Sequence, residues 1–89
     1  MSRVGDPIPM LVPVPIEGVR HYVYAALQAE VEKYGADVVY SRTLCGQPCG
    51  AGLVSATQRI WAKGLPECVA CRAEDERRYP DGFNRRLLR

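Results

Sequence analysis

Cys45-Gly46-Gln47-Pro48-Cys49-Gly50 and Cys68-Val69-Ala70-Cys71 contain all four cysteines of the chain, in the pattern C-x3-C-x18-C-x2-C. Two close pairs of thiols at this separation form a metal-site spacing, because a tetrahedral ion needs paired thiolates carried on tight turns. Gly46, Pro48 and Gly50 supply the residues from which such a turn is made. Pro66, just ahead of the second pair, places Cys68 and Cys71 at a helix N-terminus, where the positive end of the helix dipole favours thiolate. Sulfur ligands with no spare carboxylate or histidine inside the motifs describe a closed structural site, with zinc as the expected ion. An iron-sulfur centre, disulfides and free thiols are the other readings of four cysteines. Redox chemistry of the thioredoxin type wants one reactive pair beside a βαβ unit, whereas here the two pairs partner each other.

Upstream of the first pair, Asp37 to Leu44 reads as a strand through Val38, Val39, Tyr40 and Thr43. Residues 52–62 fit two periods. Val54, Ala56, Gln58 and Ile60 alternate with their neighbours, while Leu53, Ala56, Thr57, Ile60 and Trp61 lie on a helical stripe that Gly64 could stop. A strand returning to pair with 38–44 is preferred. Glu67 to Tyr79 is rich in Ala, Glu and Arg and reads as a helix, with Pro80 and Asp81-Gly82 behind it. Toward the N-terminus, Val19, Val23, Ala26, Leu27, Val31 and Tyr34 fall at helical spacing with Gly35 as terminator, so 17–34 is expected to be one long helix. His21 sits on it without a second histidine or a following glutamate two positions on. It is expected to be a surface or partly buried side chain, outside the ligand set.

Residues 1–16 hold Pro7, Pro9, Pro13 and Pro15 among Ile8, Met10, Leu11, Val12, Val14 and Ile16. Such a stretch is neither helix nor central strand, and it is expected to be an extended arm. Large apolar side chains on a polyproline-like arm are costly in water, so Ile8, Leu11, Val12, Val14 and Ile16 are the candidate partner-binding residues. Internal packing against the Val19, Val23, Leu27 and Val31 stripe is the alternative.

A knuckle followed by a second pair that leads into a helix resembles the treble-clef and zinc-ribbon class of four-cysteine zinc fingers, over residues 38–79. The likeness implies that Cys45, Cys49, Cys68 and Cys71 are the four ligands of one Zn²⁺ ion. The first pair here has three intervening residues, one more than is common in that class. The expected fold is α+β: an arm over 1–16, a zinc-stapled domain over 17–79 made of a long helix, a β-hairpin with the knuckle and a C-terminal helix, then a basic tail over 80–89.

With 89 residues, the chain fits one domain. Folding at this size buries only about 60 to 65% of the unfolded surface, so a staple is expected. No run approaches the ~20 apolar residues of a membrane span, and the Ser2-Arg3-Val4-Gly5-Asp6-Pro7 start lacks the apolar core of a secretory signal. A soluble protein of a reducing, cytoplasmic compartment, or of an assembly built there, follows as the expectation.

The net charge is +2, and the excess lies in the last 18 residues, where six arginines meet four acids. A four-thiolate zinc site would cancel it. The expected function is therefore non-catalytic: an accessory or structural protein docking on a larger protein or nucleoprotein assembly, such as a viral capsid, ribosome or polymerase, through arm and tail. No small-molecule substrate and no membrane partner are expected. The alternative is a nucleic-acid-binding zinc finger using Arg77, Arg78, Arg85, Arg86 and Arg89 on phosphates.

Overall fold

The computed structural model of the chain describes residues 9–80. Leu11–Ile16 forms strand β1 and Val19–Tyr24 forms strand β2, paired antiparallel with Leu11 opposite Tyr24 and Ile16 opposite Val19. Glu17 and Gly18 make the two-residue turn, with φ of 51° and 75°. Positive φ at both positions is the type I′ geometry, whose twist matches that of the strands it joins.

The prolines of β1 are placed where the ladder does not need their missing N–H groups. Arg20 and Tyr22 direct their backbone groups away from β1: Arg20 N–H donates to Pro66 O at 2.7 Å, and Tyr22 O accepts from Leu44 N–H at 2.9 Å. Their register partners are Pro15 and Pro13. Antiparallel pairs alternate between hydrogen-bonded and non-bonded, so both prolines occupy non-bonded positions, and Val12, Val14 and Ile16 take the others. The extended arm expected to dock on a partner is corrected over 11–16, where the alternative of internal packing applies, though as a hairpin strand. Residues 11–16 are a strand of the core, with Leu11, Val12 and Val14 buried and Ile16 packed beside them. Ile8 lies outside the described residues.

The expected long helix over 17–34 is also corrected. Its first half is β2, and only Gln28–Tyr34 is helical, as α1. Val19 to Tyr24 is a run of β-branched and aromatic side chains that suits a pleated, half-buried surface better than a helix. Gly35, at φ 86°, separates α1 from a single turn of helix, α2 (Ala36–Val39), where the start of a strand was expected. Neither α1 nor α2 contains a buried residue.

After the knuckle, a short 3-10 turn (Ala51–Val54) leads into helix α3 (Ala56–Ala62). The preferred strand over 52–62 is not formed. Ser55 caps α3, its hydroxyl accepting from Gln58 N–H at 3.3 Å, and Gly64 N–H closes the other end on Trp61 O at 3.2 Å. Ser-x-x-Gln is a capping-box sequence, and it outweighs the period-two alternation. The expected last helix is present as α4 (Val69–Arg78).

The hairpin is covered on both faces, which explains why β1 is continuously apolar where alternation would mark a half-buried strand. On one face Leu11 and Tyr22 pack with Cys71, joined by Tyr24, Leu44 and Cys68. On the other, Val12, Val14 and Val23 pack with Ile16, Tyr40, Cys49, Leu53 and Val54. Helix α4 is pinned to β2 through Tyr24, whose hydroxyl donates to buried Asp75 at 2.8 Å and whose ring meets Tyr79 edge-on at 5.6 Å. The whole is a small mixed α/β unit of one two-stranded hairpin and four helices among the described residues. None of these helices is long and apolar enough to cross a membrane.

Candidate metal centre

The outer edge of β2 gathers both cysteine segments around His21. Arg20, on one side of His21, accepts from Cys68 N–H at 2.8 Å as well as donating to Pro66. Tyr22, on the other side, accepts from Leu44 N–H, the residue before Cys45, and donates its own N–H to Cys71 Sγ at 3.5 Å. Backbone groups that point outward from a strand edge must find partners, and these two loops supply them.

Each loop is shaped by its own residues. Around Cys45, Arg42 bridges Pro48 in antiparallel fashion, Thr43 N–H donates to Gln47 O at 2.9 Å, and Gly46 takes φ 90°. Positive φ is the reason for glycine there. Arg42 closes the loop by donating to Gly46 O at 2.9 Å. Cys68 is the N-cap of α4, its sulfur accepting from Cys71 N–H at 3.5 Å, so the two thiols of this pair share the first turn of the helix.

The result is a cluster of His21, Cys45, Cys68 and Cys71 whose ligand atoms all lie within 4.8 Å of one another. His21 Nδ1 is 3.3 Å from Cys45 Sγ and 3.6 Å from Cys71 Sγ, and Cys45 Sγ is 4.0 Å from Cys68 Sγ. A tetrahedron built on Zn–S of about 2.3 Å and Zn–N of about 2.0 Å has edges of roughly 3.5 to 3.8 Å. The donor set and its spacing therefore fit a four-coordinate metal ion.

Two corrections to the expected ligand set follow. His21, expected to stand aside, is one of the four. Cys49, expected as a ligand, is turned the other way: its N–H donates to Ser41 O at 3.0 Å and its thiol to Tyr40 O at 3.1 Å, within the valine cluster. Three residues between the cysteines, one more than in the usual knuckle, carry Cys49 past the Arg42–Pro48 bridge onto the returning limb. Burial there pushes its thiol pKa up, which keeps it protonated.

The ligand thiols differ in setting. Desolvation works to raise the Cys45 pKa, but hydrogen bonds from Thr43 and the Gln47 backbone, with those to Cys71 and His21, pull it down to about 6. Cys71 is fully buried, and that burial pushes it up to about 12. A buried thiol is a poor anion unless a cation shares its site, and a metal ion held by the cluster would be that cation. Beside the cluster, Glu67 joins the loop to the sheet. Tyr22 Oη donates to its carboxylate at 2.5 Å and Arg72 Nη1 at 2.8 Å, with Arg20 Nη2 at 3.8 Å.

Of the candidate nucleic-acid residues, Arg77 and Arg78 are exposed on α4, and both pair with Glu74, whose carboxyl they hold down at about 2. Arg85, Arg86 and Arg89 lie outside the described residues. Compared with protein families, with curated proteins and with solved structures, the chain finds no match. The metal centre thus stands on its own geometry.

Proposed function

We propose that this chain is a non-catalytic domain whose fold is held by one zinc ion bound to His21, Cys45, Cys68 and Cys71. The convergence of these four ligand atoms within 4.8 Å carries the reading. Three sulfurs and one imidazole nitrogen are a donor set of structural zinc sites, and a full set of four protein ligands leaves no position for a reacting water. The ligands come from three separate segments: β2, the knuckle and the first turn of α4. One ion would cross-link all of them, which is what a chain of this size requires in place of a larger core.

In this reading the domain serves as an accessory part of a larger assembly. Leu11, Val12 and Val14 contribute to its interior, and docking falls to the side chains that α1, α2 and α3 leave exposed. Elemental analysis of the purified protein tests the metal assignment. One zinc per chain, with loss of far-ultraviolet helical signal on chelation and recovery on adding zinc, is the expected result. Iron with visible absorbance, or a metal-free folded chain with disulfides, overturns it.

A further inference from the structure

Two exposed apolar faces of opposite charge are carried on different elements of this chain, and we propose that they join copies of it head to tail, the α1–α2 face of one seated on the α3 face of the next. On the first face Leu27 is 69% exposed, Tyr34 55% and Val38 65%. Beside them α1 and α2 carry exposed Glu30 and Asp37 against a single cation, Lys33, whose ammonium lies 5.2 Å from the Tyr34 ring centre.

On the second face Ile60 is 71% exposed and Trp61 59%. Their helix carries Arg59 and ends at exposed Lys63. No acidic residue occurs anywhere from 38 to 66, while Arg42, Arg59 and Lys63 do. Trp and Tyr are the residue types that anchor interfaces when desolvated, and each face offers one of them beside aliphatic neighbours.

Charge decides the pairing. A symmetric contact would set the acidic Glu30 and Asp37 patch against its own copy, or the basic Lys63 patch against itself, whereas a head-to-tail contact sets acid against base. Because the two patches differ, the contact is heterologous, and it produces closed rings or open filaments according to the rotation between copies. The apolar contact supplies affinity, and the charges supply register and exclude the symmetric alternatives.

Trp61 is the only tryptophan, so its emission reports burial of the α3 face directly. The zinc-loaded full chain is examined by sedimentation velocity and by Trp61 fluorescence over a dilution series at low and moderate salt. Mass should rise with concentration, and the Trp61 emission should shift to the blue in step. Lys63→Glu and Glu30→Lys should each move the association midpoint about tenfold higher or more, and the chain carrying both should recover it, since the charges then oppose again. Far-ultraviolet spectra and zinc content matching the parent show that the variants fold. A monomer at every concentration overturns the proposal, as does a blue emission independent of concentration, which would mean that α3 is covered within one chain. Sensitivity to only one of the two substitutions, or no recovery in the double variant, also overturns it.

Discussion

The amide of Cys68 donates to the carbonyl of Arg20 at 2.8 Å, fastening the cap of α4 to the residue next to His21. On the far side of His21 the carbonyl of Tyr22 holds Leu44, which precedes Cys45. The strand therefore aligns the two cysteine-bearing segments with each other, and its own histidine completes the candidate set. A strand edge with free backbone groups at alternate residues brings together segments that lie far apart in sequence.

His21→Ala and Cys49→Ala should separate cleanly. Removing His21 leaves three thiolates and should lower zinc affinity by well over tenfold, with loss of folded structure. Removing the Cys49 thiol should leave one zinc per chain and cost only the packing and hydrogen bond of a half-buried side chain. With Co²⁺ in place of zinc, the thiolate-to-metal charge-transfer band should be unchanged in Cys49→Ala and altered in His21→Ala. Metal retained in His21→Ala and lost in Cys49→Ala would restore the four-cysteine site.

Deleting residues 9–16 should abolish folding in the absence of any partner, because β1 supplies the centre of the core. Val14→Ala gives the graded version of the same test. Val14 has no exposed surface, and losing two buried methyl groups should cost roughly 1 to 3 kcal/mol, including the cavity left behind. Chemical denaturation of the zinc-loaded protein measures it. A truncated chain that melts like the parent would return the segment to the role of a partner-docking arm.

Tyr22→Phe tests the Glu67 contact at the site's border. Burial tends to raise the Glu67 pKa, yet the hydrogen bond from Tyr22 and the charge and hydrogen bond of Arg72 hold it below the usual carboxylate range. A depressed folded-state pKa stabilises above the unfolded value, about 4.3, and that contribution fades as pH falls through the folded one. Tyr22→Phe should therefore lower stability at pH 7 by about 1 to 3 kcal/mol, the worth of a hydrogen bond to a charged group. The difference between variant and parent should shrink under acid conditions. Unfolding midpoints of both proteins across that range check the sign.

Ser55→Ala should cost about 1 kcal/mol by removing the cap of α3, with zinc content unchanged. Ser55→Asp should retain most of the stability, since a carboxylate at this position both accepts the hydrogen bond and faces the positive end of the helix. Thermal melts of the three proteins decide it. Equal melting temperatures would show that packing against β1 alone holds the helix.

The cysteine spacing by itself announced a metal-binding unit, and Ala, Glu and Arg between Pro66 and Pro80 by themselves marked the last helix. Both signals are local: thiols paired across a few residues, and propensity summed over a dozen. The choice of ligands was decided by tertiary structure alone, because His21 and Cys45 are 24 positions apart and meet only when β2 pairs with the knuckle loop. The same holds for the N-terminal segment. Pro13 and Pro15 do exclude a central strand, but an edge strand accepts them at its non-bonded positions, and that depends on which side of β1 its partner lies. Val19 to Tyr24 satisfied a helical stripe as well as a strand, and the hairpin partner and the two layers covering it settled the period. Spacing along the chain pointed to a metal site, and the pairing of distant strand and loop edges determined which ligand atoms come together where an ion could be held.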